Sequence, residues 1–130
     1  MGHEAWHEPY ESLSPETRDM HRAIISLMEE LEAVDWYQQR ADVTHDAELK
    51  AVIEHNRDEE IEHAMMTLEW IRRRSPKFDT NARTYLFTEG PITEVEKKME
   101  EAAKGGPAGA PGAPSNGPLA IGSLKPGATP

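Results

Sequence analysis

The chain contains no cysteine, and that absence removes a block of chemistry. A disulfide framework, a thiolate zinc site and an iron–sulfur cluster are all excluded. Basic residues are scarce: 14 Lys and Arg stand against 24 Asp and Glu, for a formal net charge of −10 over 130 residues. Such a body suits a phosphate backbone poorly, since that partner favours a basic patch. It suits cations, metal ions included, through its summed field. No apolar run approaches the roughly 18 residues of a membrane span, and no apolar signal-peptide core follows Met1. Neither nucleic acid nor membrane is expected as a partner, and the lack of cysteine fits a cytoplasmic protein.

Acid is also missing from one whole segment. Residues 104–130 hold Lys104 and Lys125 but no Asp or Glu, so residues 1–103 carry −12 and the tail +2. The tail is rich in Gly, Pro and Ala through Pro118, as a disordered linker is. It then turns apolar at Leu119-Ala120-Ile121-Gly122-Ser123-Leu124-Lys125. A short greasy stretch on a soluble tether reads as a docking peptide for a partner's groove. The plainer alternative is an inert tail. Residues 1–13 are polar and read as a flexible segment. His3, Glu4, His7 and Glu8 have the spacing of a metal site if helical, although mobile N-terminal histidines usually bind nothing.

What remains, residues 14–103, reads as all-α. Ser14-Pro15-Glu16 is a helix start: a capping hydroxyl, a first-turn proline and an acid at the positive end. Met20, Ile24, Leu27, Leu31 and Val34 recur at steps of 4, 3, 4 and 3, one face of a helix reaching about Gln39–Ala41. The link near Asp42–Asp46 is short, which favours an antiparallel neighbour. A second helix is expected over about Ala47–Arg74, with Leu49, Val52, Ile53, Ala64, Trp70 and Ile71 inward. Arg72–Arg74 suit its negative pole and Ser75-Pro76 stops it. Residues 78–87 form a short helix or turn. Thr93 with Glu96 makes a capping box for a third helix fading near Ala103. So small a body builds a modest core, and association is the common remedy.

The chemistry gathers on the helical faces. Glu60 and His63 form an E-x-x-H pair on adjacent turns of the second helix. With Asn56 and Thr67 they lie within its apolar stripe. Glu30, three past Leu27 and four before Val34, borders the stripe of the first helix. A buried carboxylate is costly unless paired or bound to metal, and carboxylate with imidazole suits iron or manganese. Di-iron carboxylate bundles use one Glu from each of two helices and an E-x-x-H from each of two more. This chain holds one such set, half a site, which two chains would complete. The alternative is a surface Glu–His pair in an acidic helix. Glu29, Glu32 and Asp35 surround Glu30 as either a solvated acidic face or an outer cation site. Trp36, Tyr37 and Trp70 read as core or interface, or as aromatic relays beside a metal. Met20, Met28, Met65 and Met66 read as packing.

The stretch Met28-Glu29-Glu30-Leu31-Glu32-Ala33-Val34-Asp35-Trp36-Tyr37 resembles the encapsulated ferritins. So do His55-Asn56-Arg57-Asp58-Glu59-Glu60 through His63, Thr67-Leu68-Glu69-Trp70, and Arg83 through Thr93. Together these cover most of residues 20–95. Leu119–Lys125 resembles the targeting peptides that load cargo into encapsulin shells. The resemblance implies a two-helix half-ferritin hairpin with a short C-terminal helix. Dimerisation completes the four-helix bundle, and dimers form an open ring, typically a decamer. It implies a ferroxidase with a di-iron (Fe) centre between subunits, oxidising Fe(II) for mineral storage inside an encapsulin nanocompartment in the cytoplasm. Glu30, Glu60 and His63 take the catalytic and metal-ligand roles. Glu29 and Glu32 match outer metal-attraction positions, and Trp36 a metal-entry gate. Two other readings stay open: a non-catalytic, metal-buffering helical cargo or adaptor, and a di-iron peroxidase.

Overall fold

The computed structural model describes residues 6–105. Helices α1 (Pro15–Val43), α2 (Ala47–Arg74), α3 (Pro76–Tyr85) and α4 (Ile92–Gly105) follow a 3-10 turn at Tyr10–Ser12. The fold is all-helical, as expected. No described helix is long and apolar enough to cross a membrane. The targeting peptide expected at Leu119–Lys125 lies outside the described residues.

The helix starts follow from their first residues. Ser14 Oγ accepts from the Thr17 N–H at 3.1 Å, and Asp46 Oδ2 from the Leu49 N–H at 2.8 Å. Each satisfies an amide that the helix cannot pair internally. Pro15 opens α1, and Glu16 and Glu48 sit at the positive ends. At the other pole of α1, the Thr44 hydroxyl donates to the Arg40 carbonyl at 2.6 Å. Ser75 both ends α2 and starts α3: its side chain accepts from the Phe78 N–H at 3.2 Å. The sequence reading of Ser75-Pro76 as a stop was half of its role, since Pro suits a first turn as well as a termination. Arg72 secures the corner. Its guanidinium grips Glu69 through two hydrogen bonds of 2.8 Å and also donates to Asp79 on α3.

Helices α1 and α2 form an antiparallel hairpin. Two side-chain bonds set its register: Thr67 to Glu30, and Arg57 Nη1 to Gln38 Oε1 at 2.7 Å. Ala41, Ala64 and Ile71 are buried. The apolar stripes are wider than the seam between the helices. Ile24, Leu31, Leu49 and Val52, expected to face inward, are exposed in the single chain, the last three to 51% each. One neighbouring helix can cover only part of a 100°-wide stripe.

Residues 6–13 differ from the loose segment that their polarity suggests. The Trp6 ring lies 4.0 Å from that of His21 and edge-on to Tyr10 at 5.2 Å. Arg18 sits 3.9 Å above the Tyr10 ring and donates to its carbonyl at 2.7 and 3.1 Å. Arg22 reaches the Tyr10 hydroxyl at 3.2 Å. Cation–π and charge-assisted bonds hold a strap that hydropathy does not register.

The chain divides into two compact units after Thr80. In the second, the Thr88 hydroxyl closes α3 on the Tyr85 carbonyl at 2.8 Å. Phe87 there takes a left-handed φ of 64°, a cap position that glycine usually fills. Helix α4 starts at Ile92, one residue before the expected capping box, with the Glu94 N–H on the Pro91 carbonyl at 3.1 Å. Pro91 thus stands at its entrance.

Candidate metal centre

Glu60 and His63 stand on adjacent turns of α2, and their side chains meet. His63 Nδ1 lies 3.6 Å from Glu60 Oε1, with the two side chains 42% and 27% exposed. Both are half-sheltered; neither is buried as a place in the middle of the apolar stripe would suggest. The other imidazole nitrogen, Nε2, lies 3.9 Å from Glu59 Oε1. Glu59 also approaches His55 Nε2 at 3.6 Å. These spacings exceed a formed hydrogen bond, so they are electrostatic approaches. The His55–Glu59–His63 row was missed in the sequence, although its i, i+4, i+8 spacing was there to be read.

Glu30 is half-buried on α1. The Thr67 hydroxyl donates to its Oε1 at 3.1 Å across the helix seam. The antiparallel register therefore sets Glu30 level with Thr67. At 1.5 Å rise per residue, His63 lies about 6 Å and Glu60 about 10 Å further along the axis. Among the described residues, no group of three or more His, Cys, Asp or Glu side chains is placed to hold one metal ion. One chain thus brings Glu60 and His63 together, and Glu30 faces Thr67 instead.

Glu29, Glu32 and Trp36 recur at steps of 3 and 4 along α1, one face of a helix. Glu29 and Trp36 are exposed and Glu32 is half-buried. Tyr37 lies under Arg40 at 5.4 Å, and Trp70 under Arg74 at 4.5 Å. Met28, Met65 and Met66 are exposed, not core. With Trp70 and Glu62, Met65 and Met66 line a shallow groove of about 470 Å³ on α2.

Strong charge coupling lies nine residues beyond Glu60. Arg72, and then Arg73, hold the Glu69 carboxyl down at about 2, against the opposing effect of partial burial. Arg72 is raised in turn, chiefly by Glu69. This cluster is internally paired and joins α2 to α3.

The chain is similar to known proteins in sequence and in fold. Residues 5–89 match the family described as EncFtn-like. The chain is 57% identical over 121 residues to an encapsulated ferritin-like protein of Rhodospirillum rubrum, spanning 92% of this chain and 86% of that one. A ferritin-like protein of Thermotoga maritima is 54% identical over 93 residues, 72% and 82% of the two chains. An encapsulin nanocompartment cargo protein, EncC, of Myxococcus xanthus is 33% identical over 110 residues, 77% and 85%. A crystal structure of a Nitrosomonas europaea protein superposes with a TM-score of 0.66 at 64% identity, covering 68% of this chain and 97% of that one. A match over most of the chain, in both sequence and helical fold, means that this protein belongs to the encapsulated ferritin-like family.

Proposed function

We propose that the protein is a ferroxidase whose site is completed by a second copy of the chain. The carrying observation is the Glu60–His63 pair, sheltered but reachable, on a hairpin with much of its apolar stripe uncovered. Fe(II) is the substrate. Glu60 and His63 of one chain, with Glu30, would share iron with the same residues of a second chain. Carboxylates suit this task because they can bridge two metals and accommodate both oxidation states. Dioxygen or peroxide takes the electrons. Covering Leu31, Leu49 and Val52 in the same step would stabilise the pair by roughly 25 cal/mol per Å² of apolar surface removed from water.

Glu29 and Glu32 would gather cations outside the site, with Trp36 as the gate beside them. The names of relatives, encapsulated and encapsulin cargo, support delivery into an encapsulin nanocompartment. Leu119, Ile121, Gly122, Ser123, Leu124 and Lys125 would be the targeting peptide. A dimer-based ring, a decamer in the resemblance above, is the proposed assembly. The domain plan is a helical body over 14–103 and a tethering tail over 104–130.

Two measurements test the reading together: Fe(III) absorbance growth under air, and native mass with and without Fe(II). Oxidation accompanied by an even-numbered assembly is expected. Oxidation by a strict monomer would remove the shared site. Iron bound in air without oxidation would mark a metal-buffering cargo protein instead.

A further inference from the structure

We infer that Thr67 is a positioning residue for the iron site, fixing the Glu30 carboxylate through one oxygen so that the other is left for metal. The inference rests on the ligand reading of Glu30, Glu60 and His63 given above. Its basis is the 3.1 Å bond from Thr67 Oγ1 to Glu30 Oε1, which joins α2 to α1 in a part-buried setting.

A threonine inside a helix commonly turns its hydroxyl back to the carbonyl four residues earlier. This one reaches across to the other helix. Its β-branched side chain has few χ1 rotamers in a helix, and the one adopted aims the hydroxyl at Glu30. Thr67 is four residues after His63 and seven after Glu60, so it shares their face of α2. Glu30 has a long side chain with several rotamers, and ordering it costs entropy when metal binds. A hydrogen bond already in place removes part of that cost. Ligating carboxylates are commonly held in this way by an outer partner. A neutral donor does so without adding a positive charge that would repel the incoming cation.

The test uses the full chain, with Co(II) as a non-oxidising probe followed by calorimetry and by its visible absorption. Thr67→Val keeps the shape and removes the hydroxyl, while Thr67→Ser keeps the hydroxyl. Thr67→Val is expected to weaken Co(II) binding by roughly 10- to 100-fold, and Thr67→Ser to restore it. In Fe(II) oxidation, Thr67→Val should raise KM more than it lowers kcat. In a Glu30→Ala background, Thr67→Val should have no further effect, because the two act as one unit.

Parent-like Co(II) binding in Thr67→Val, with binding lost in Glu30→Ala, would overturn the positioning role and leave the ligand reading standing. Equal losses in Thr67→Ser and Thr67→Val would also overturn it, since the hydroxyl would not be the cause. Parent-like binding in Glu30→Ala would remove the ligand reading itself, and this inference with it.

Discussion

Arg57 reaches from α2 to Gln38 on α1, donating from Nη1 to Oε1 at 2.7 Å while its Nε holds Asp58 at 3.0 Å. Its side chain is only 23% exposed. This is the second rung, after Thr67–Glu30, that sets the register of the hairpin. Replacing Arg57 with Ala is expected to cost about 1–2 kcal/mol, from a lost charge-assisted bond and lost packing of the stem. Arg57→Met would recover the packing part only. Thermal midpoints at one fixed protein concentration measure both, since association shifts apparent stability.

Glu60→Ala and His63→Ala should each lower Fe(II) oxidation at least about 10-fold, the lower end of what losing even an outer-shell partner costs. Helical content should survive, because removing a half-sheltered charge also relieves its desolvation. Circular dichroism and Fe(III) absorbance growth, on the same samples, give the answer. Full activity in both variants would place the chemistry elsewhere.

The Glu69 carboxyl predicts an acid limb. Its folded value of about 2 lies below the ordinary 4.5, owing first to Arg72. A depressed carboxyl contributes stability that is complete above the unfolded value and disappears as pH falls through the folded one. The window is therefore about pH 4.5 down to about 2. Because the side chain is 40% exposed, solvent screening reduces the contribution to about 1 kcal/mol. Glu69→Gln should be less stable than the parent at pH 6, and the two should converge near pH 2 in thermal melts.

Phe87 predicts a gain. Its φ of 64° is unfavourable for any residue with a Cβ, by about 1–2 kcal/mol. Phe87→Gly should raise the midpoint of the free chain, and Phe87→Ala, which keeps the strain, should not. A fall in the glycine variant would show that the aromatic ring is held by another surface.

For the tail, deleting residues 116–130 should leave iron oxidation unchanged and stop co-purification with an encapsulin shell protein. Leu119, Ile121 and Leu124 offer roughly 1.5–3 kcal/mol each on burial before ordering costs. That suits many weak tethers in one shell. Unaltered loading of the truncated chain would contradict the targeting role.

Much of the fold was legible because local signals agreed with one another. Ser14 caps α1 as its place before Pro15 indicates, and the 3.6-residue period carries both long helices; Asp46 and Ser75, read as part of a link and as a stop, turn out to cap as well. Periodicity reports which residues avoid water, not what covers them. Leu31, Leu49 and Val52 therefore read as core while standing exposed in one chain. The phase of Glu60, His63 and Thr67 was also readable. The Thr67–Glu30 bond was not, because it depends on hairpin register, which no local pattern encodes. The strap at Trp6–Leu13 was hidden for a related reason. Its hold comes from Arg18 and Tyr10, eight residues apart, both of which count as polar or amphipathic in any hydropathy reading.

The link between α1 and α2 is only three residues, Thr44–Asp46, and this has a consequence in time. Closing so short a loop costs little entropy, and helical pieces with mostly local contacts fold in microseconds to milliseconds. Docking of one copy on another takes milliseconds to minutes and depends on concentration. Newly made chains would thus be ready long before they meet. Under the proposed pairing, the moment at which iron chemistry begins is set by encounter frequency, and dilution alone would delay it. Doubling the link should cost only about 0.6 kcal/mol and leave that waiting time unchanged.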